Sequence, residues 1–392
     1  MCPNGVEWKT LGEVCNFVNG FAFKSSLFRQ SGSRIIRITN IDGVNINTVD
    51  SIYFDSNDYK EDLSKYIIKQ GDIAIAMSGA TTGKIGRYID NDNSYINQRV
   101  GLFKPKQNLF NSYLYHFLLS KTNDINILAG GGAQPNLSSN SLMAKVKIPL
   151  PPLAIQTRIV EILDHFTNLT ANLTADLNLR RKQFEHYREK LLSLDGVEMV
   201  KLFDVAKNST GLTYKPSDVS DSGTLVLRSS NIQNSMLCFD DNVFVKMKSI
   251  PTRALVKEND ILVCVRNGSS SLIGKAAIID KSCEGMAFGA FMTILRAFNI
   301  NYKYLFYVWQ SDRIQKMVHG DSGAPINQIT NAVLDKIMIP YPSEDTQHSI
   351  VSILDKFTAL IENIEKELAL RQKQYEYYRE QLLSFPQPAR NS

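Results

Sequence analysis

"IPLPPLAIQTRIVEILDHFTNLTANLTADLNLRRKQFEHYREKLLSL", residues 148–194, is written a second time as "IPYPSEDTQHSIVSILDKFTALIENIEKELALRQKQYEYYREQLLSF", residues 339–385. The two stretches align without a gap at an offset of 191, and about half of their positions are identical. A repeat at fixed spacing decides architecture before any local reading does. In the first stretch apolar residues fall at Ile159, Ile162, Phe166, Leu169 and onward to Leu194; in the second they fall at Ile350, Ile353, Phe357, Leu360 and onward to Phe385. Spacings of three and four held over about five heptads predict a long helix with a coiled-coil seam. Pro151 and Pro152 open the first helix, and Ser343, Glu344 and Asp345 open the second, as suits a helix N-terminus. The partner expected for each seam is the other copy. Charge favours antiparallel packing, because Arg180, Arg181 and Lys182 lie late in the first helix while Asp355, Glu362, Glu365 and Glu367 lie early in the second. Exposed pairs contribute well under ~1 kcal/mol each, so this preference is modest.

The offset persists outside the helices. Val6-Glu7 matches Val197-Glu198, Arg37 matches Arg228, and "GAQPN" (132–136) faces "GAPIN" (323–327). It falls to 188 around "GDIAIAMSGATTGKIG", which faces "NDILVCVRNGSSSLIG" (259–274). The chain is a tandem duplication: a variable block at 1–147, a helix block at 148–194, a variable block at 195–338, a helix block at 339–385 and a tail at 386–392. The variable blocks read as mixed α/β (α+β) domains. "RIIRITNI" (34–41), "DIAIAM" (72–77) and "RVGLFK" (99–104) predict strands. "SYLYHFLLSKTNDINILA" (112–129), with its counterpart at 303–318, predicts a helix. The fold expected is two such domains in tandem, separated by two long helices packed as an antiparallel coiled coil, with an internal pseudo-two-fold.

The bulk numbers suit this. The 392 residues, 43% hydrophobic and 21% charged, allow two domains with cores of their own. No run of about 18 apolar residues predicts a membrane span, and the N-terminus carries no secretory pattern. Cys2, Cys15, Cys238, Cys264 and Cys283 lack C-x-x-C spacing and read as reduced thiols in a cytoplasmic protein, neither a disulfide framework nor a zinc site. The histidines show no ligand spacing, so no metal site is assigned. The net charge is +5, and the two helix blocks nearly cancel, so the excess belongs to the rest of the chain. That excess fits either a nucleic-acid face or ordinary solvated charge.

"SGATTGK" (78–84) looks like a phosphate loop, but Gly79 and Gly83 are one residue too close for G-x-x-x-x-G-K-[ST], and Ile85 stands where the hydroxyl should be. Small and hydroxylated residues directly after a strand let backbone approach a ligand closely, and "RNGSSS" (266–271) repeats the arrangement. A plain strand-to-strand turn is the other reading. No G-x-G-x-x-G, no nucleophile elbow, no N-P-P-[YF] and no nuclease carboxylate run occurs, so no catalytic residue is assigned.

"IPLPPLAIQTRIVEILD", "RRKQFEHYREKLLSL", "GDIAIAMSGATTGKIG" and "INQRVGLFKPK" together resemble the specificity subunits of type I restriction–modification systems, over essentially the whole chain. The resemblance implies two target-recognition domains, each reading one half of a split double-stranded DNA site. It also implies that the helix pair sets the gap and docks methyltransferase subunits, two being expected. Restriction subunits would then join through the methyltransferases. It implies no cofactor in this subunit; S-adenosylmethionine, ATP and Mg²⁺ belong to the partners. A coiled-coil scaffold, or a silent recombination-donor copy without its own DNA target, are the alternatives.

Recognition domains are the variable part of that family, so the candidate DNA-contacting residues rest on chemistry. In the first block they are Lys24, Arg37, Ser78, Thr81, Thr82, Lys84, Arg87, Asn97, Gln98 and Arg99; in the second they are Lys215, Arg228, Arg266, Asn267, Ser269, Ser270 and Lys275. For Asn97, Gln98 and Arg99 a strand-entry hydrogen-bonding role stands beside base contact. The outward residues repeated in "RRKQFEHYRE" and "RQKQYEYYRE" make Arg180, Lys182, Tyr187, Arg188, Arg371, Lys373, Tyr378 and Arg379 the candidate partner-binding set.

Overall fold

The computed structural model describes residues 5–130, 135–319 and 328–386. Residues 132–134 of "GAQPN", all of "GAPIN", Cys2 and residues 387–392 of the tail lie outside them. The chain divides into two compact units, Met1–Thr174 with Lys366–Ser392 and Ala175–Glu365. Each holds one variable block together with one segment of each long helix.

In the first unit, Ile73–Ala76 is buried at every position because it is hydrogen-bonded on both sides, to Val100–Pro105 and to Ile85–Tyr88. An unbroken apolar run of this kind suits a central strand covered on both faces. The five-stranded sheet runs in the order Cys15–Asn19, Val100–Pro105, Ile73–Ala76, Ile85–Tyr88, Asn45–Ile46. A second sheet orders Ile52–Phe54, Ser33–Ile36, Ser94–Ile96 and Ile67–Ile68. Glu7–Thr10 pairs antiparallel with Lys147–Leu150, which leads into the first long helix. Gly20 is required by its neighbour, since a Cβ there would meet the Asn97 carbonyl oxygen at 2.1 Å.

The second unit repeats the plan. Its central strand Ile261–Cys264 lies between Met292–Ala297 and Ala276–Ile278, with Ala206–Thr210 beyond. A Cβ at Gly211 would likewise meet the Gly289 carbonyl oxygen at 2.1 Å. Lys104 pairs with Asp72 at 2.7 Å in the first unit, and Arg296 grips buried Asp260 with two 2.7 Å bonds in the second.

The predicted helix at 112–129 is two helices, Asn111–Ser120 and Thr122–Leu128. Its counterpart is Tyr302–Trp309 and Asp312–His319. At each break a serine hydroxyl donates back to a helix carbonyl, Ser120 to Phe117 (2.7 Å) and Ser311 to Val308 (2.6 Å), an alternative to continuing the ladder.

The long helices span Leu153–Leu192 and Glu344–Leu383, 40 residues each. In the first unit the Trp8 indole donates to Pro386, just past the second helix, while Trp8 itself pairs with Pro149, just before the first. The second helix therefore ends where the first begins, and the segments are antiparallel. In the second unit Tyr187 meets Phe357, and Arg181 bonds Glu365 (2.5 Å), again antiparallel. Arg181–Glu365 is an ion pair of the kind expected from the charges. Three of the other expected partners are engaged elsewhere: Arg180 with Asp176, Glu367 with Arg371, and Asp355 with Lys303.

The single seam needs correction. Ile353 and Leu360 are about two-fifths exposed, whereas Val160, Leu163, Val351 and Leu354 are buried in the cores of their units. A helix packing on both a domain and another helix needs two apolar stripes, and a seam traced for one partner misses the other.

Candidate nucleic-acid interface

Several candidates emerge where strands of the first unit end together. Asn97 donates its N–H to Ile36 (2.9 Å), Met77 donates to Arg99 (2.9 Å), and Ala76 donates to Lys84 (3.0 Å). These bonds gather Arg37, Ser78, Lys84, Asn97, Gln98 and Arg99 at one edge. Gln98 and Arg99 are exposed. The Asn97 carboxamide oxygen accepts from Gln98 N–H (2.8 Å), the strand-entry role. Lys24 is exposed three residues beyond Phe21, which bridges to Asn97.

The glycine-containing loop is a tight turn, Gly79–Thr81. The buried Thr82 hydroxyl lies 2.6 Å from the Gly79 carbonyl and 3.0 Å from that of Pro135. Thr82 thus closes the loop from inside, and Thr81 buries its hydroxyl beside it. These two are framework, contrary to the expectation of contact; Ser78 and Lys84 stay half-exposed.

Arg87 does not join the edge. It pairs with Ile73 at the opposite end of the sheet, lies over the Tyr115 ring at 4.1 Å and reaches Asp164 at 3.5 Å. There it helps a buried network. His116 lies 2.8 Å from Asp164 through Nε2 and 3.2 Å from the Tyr375 hydroxyl through Nδ1. A neutral ring donating to Asp164 and accepting from Tyr375 satisfies both bonds. Burial holds the His116 pKa below its ordinary value. For Asp164 burial works upward, but the His116 hydrogen bond and the Arg87 charge outweigh it and hold the carboxyl below its usual range.

In the second unit, Cys264 N–H donates to Lys275 (2.9 Å), as Ala76 does to Lys84. Gly83 and Gly274 both adopt positive φ (82° and 79°) and close their loops onto the Ala76 and Cys264 carbonyls. The offset of 188 therefore ends inside the loop, which is three residues longer in the second copy. Arg266, Ser269, Ser270 and Lys275 are exposed on or beside that loop. Asn267 is occupied within it, donating to the Ser229 hydroxyl and accepting from Ser269 N–H, both at 2.9 Å. Lys215 is exposed at the start of the Pro216–Asp218 turn, its N–H on Asp218 (2.8 Å).

Arg37 and Arg228 do the same thing twice. Each donates its N–H to an asparagine three residues on (Asn40, Asn231; 2.9 Å). Each also turns its guanidinium to the loop of Asp50 or Asp241, leaving Nε buried without a partner. These identical side chains hold the strand ends in place in both copies.

On the helices, Arg180 and Arg371 are held by matched partners, Asp176 with Gln183 and Glu367 with Gln374. Arg188 is clamped by Glu189 and Asp312, and Arg379 lies over Tyr375 at 5.2 Å. Lys182 and Lys373 are exposed, and Tyr187 and Tyr378 are about two-fifths exposed. The sequence reading missed Leu179 and Leu370, matched apolar positions exposed by 52% and 57%. The exact repeat of an apolar residue off the seam was the available signal. It also missed Phe291, 54% exposed beneath Arg266. Cys15, Cys264 and Cys283 are buried free thiols, and burial pushes Cys15 up to about 12. Among the described residues no helix is long and apolar enough to cross a membrane.

A duplicated α/β domain with basic and amide side chains at one strand edge offers the groups that contact phosphates and base edges. Residues 3–180 and 195–370 each match the type I restriction modification DNA specificity domain, so the chain belongs to that family of specificity subunits. It is 32% identical to the Escherichia coli EcoR124I/EcoR124II specificity subunit over 70% of this chain and 71% of that one. It is 25% identical to the Escherichia coli EcoBI specificity subunit over 92% and 80% respectively. The crystal structure of the type I S subunit from M. genitalium shares the fold, with a TM-score of 0.61 at 16% identity, covering 98% of both chains.

Proposed function

We propose that each unit reads one half of a bipartite DNA target, and that the helix pair fixes the gap between halves and docks two methyltransferase subunits. The carrying observation is the strand edge built twice on one framework with different side chains: Ser78 and Arg99 in one copy, Arg266 and Phe291 in the other. Different side chains present different donor and acceptor patterns to base edges. Methylation and cleavage belong to partner subunits, which supply S-adenosylmethionine, ATP and Mg²⁺ chemistry; this chain positions them. Replacing residues 1–147 by the corresponding block of another specificity subunit should change one half-site only, read by methylome sequencing. A change in both halves would show that the units do not read independently.

Matched exposed positions support two docking sites, Leu179 with Lys182 on one helix and Leu370 with Lys373 on the other. Light scattering of the reconstituted complex should give two methyltransferases per chain. Saturation at one would contradict it.

A further inference from the structure

We propose that Phe291 reads the methyl group of a thymine in the half-site of the second unit, and that Arg266, lying on its ring, reads an adjacent guanine. The inference rests on the DNA-reading function above and assigns base chemistry to two residues within it.

Backbone hydrogen bonds set the correspondence. Met77 N–H donates to Arg99 in the first unit, and Val265 N–H donates to Phe291 (3.0 Å) in the second. The turn before each closes identically, Val100 to Asn97 (2.8 Å) and Met292 to Gly289 (2.9 Å). Phe291 therefore occupies the place of Arg99, and Arg266, which follows Val265, occupies the place of Ser78, which follows Met77. The two copies exchange roles: cation on the turn and hydroxyl on the loop in one, aromatic ring on the turn and cation on the loop in the other.

The core does not need the ring. Phe291 is 54% exposed, while the next residue, Met292, is 1% exposed and carries the packing. The Arg266 guanidinium carbon lies 5.2 Å from the ring centroid. This contact covers one face of the ring and steadies the guanidinium. A wedge driven between base pairs needs both faces free, so intercalation does not fit. A phenyl ring offers nothing to a phosphate. The feature of a base edge that suits it is the thymine C5 methyl, and the bidentate partner of an arginine is guanine O6 and N7. Because the two side chains touch, the bases they read are neighbours.

The experiment uses the complete chain with its methyltransferase partners and duplexes carrying the mapped target. Each thymine of the second half-site is replaced singly by deoxyuridine, which removes only the methyl. Wild type should bind about fourfold more weakly at one such position, the share of one buried methyl. Phe291→Ala should bind the thymine and uracil duplexes equally there, and Phe291→Arg, which copies the first unit, should likewise lose the discrimination. Arg266→Gln should relax the guanine beside that thymine. If wild type is indifferent to every uracil, or if Phe291→Ala keeps the wild-type sensitivity, the inference is overturned. Failure of wild type to bind any bipartite target would instead overturn the broader reading.

Discussion

Phe166 stacks on Tyr378 with ring centroids 5.2 Å apart and planes 21° from parallel. Tyr187 and Phe357 repeat the contact at 5.3 Å and 24°. Each pair joins one long helix to the other within a unit, on rings that the sequence reading assigned partly to a core and partly to partner binding. Such pairs contribute about 0.5–1.5 kcal/mol beyond area burial. A double-mutant cycle on Phe166→Ala and Tyr378→Ala should return a coupling of that size in urea unfolding, and the Tyr187/Phe357 cycle should agree with it. Additive single effects would show that the stacking contributes nothing specific.

A second prediction concerns buried glutamines. Gln156 accepts from Phe110 N–H (2.8 Å) and donates to the carbonyls of Asn108 (3.0 Å) and Pro151 (2.8 Å), and it is fully buried. Gln347 does the same for Asn301 N–H (2.9 Å) and Pro342 (3.0 Å). Each ties the start of a long helix to its own domain. Leucine at either position leaves backbone groups buried and unpaired, each costing about 1–3 kcal/mol. Gln156→Leu and Gln347→Leu should each lower unfolding stability by about 2–4 kcal/mol, measured by chemical denaturation. A loss below about 0.5 kcal/mol, the range of a neutral surface change, would show that water replaces these bonds.

His116 should make the first unit acid-sensitive. It faces Asp164, Tyr375 and Tyr115, with Arg87 and Arg379 adding positive charge. Burial holds its folded pKa below the ordinary value near 6.5, so the unfolded chain takes up a proton first as pH falls. Stability therefore declines as pH drops below about 6.5, by up to about 1.4 kcal/mol per pH unit, until the folded pKa is reached. Asp164, held low, contributes stability that is lost only in the carboxylate range further down. The second unit has Tyr307 at this place, its hydroxyl 2.6 Å from Asp355. His116→Tyr should therefore flatten the stability profile between pH 7.5 and 5.5 in thermal denaturation. An unchanged profile would place the acid sensitivity elsewhere.

The duplication, the helix extents and the central strands were legible because they are written in local pattern: seven-residue spacing, apolar runs and an offset of 191. Three things were not. Val160 and Leu354 belong to a second stripe that exists only because a domain packs there. Arg87 looked like Lys84, its near neighbour, since Asp164 and Tyr115, which hold it, are far away in sequence. Phe291 drew no reading at all, because its exposure depends on where the strand begins relative to Val265.

On the proposed function the long helices serve as a ruler. The boundaries between units fall at Thr174–Ala175 on the first helix and Glu365–Lys366 on the second. Four residues inserted near Leu173 and four near Ile364 therefore lengthen both helices where one unit gives way to the other. Each helix gains about 6 Å and turns by roughly 40° beyond a full circle. Rise alone asks for about two more base pairs at 3.4 Å each. Rotation alone asks for about one, a duplex turn being 10–10.5 base pairs. The unread gap of the target should grow by one or two base pairs while both half-site sequences stay as they are. Mapping methylated sites in cells that express the insertion variant reads this directly. Should modification persist with the original gap, the spacing is set by something other than these helices.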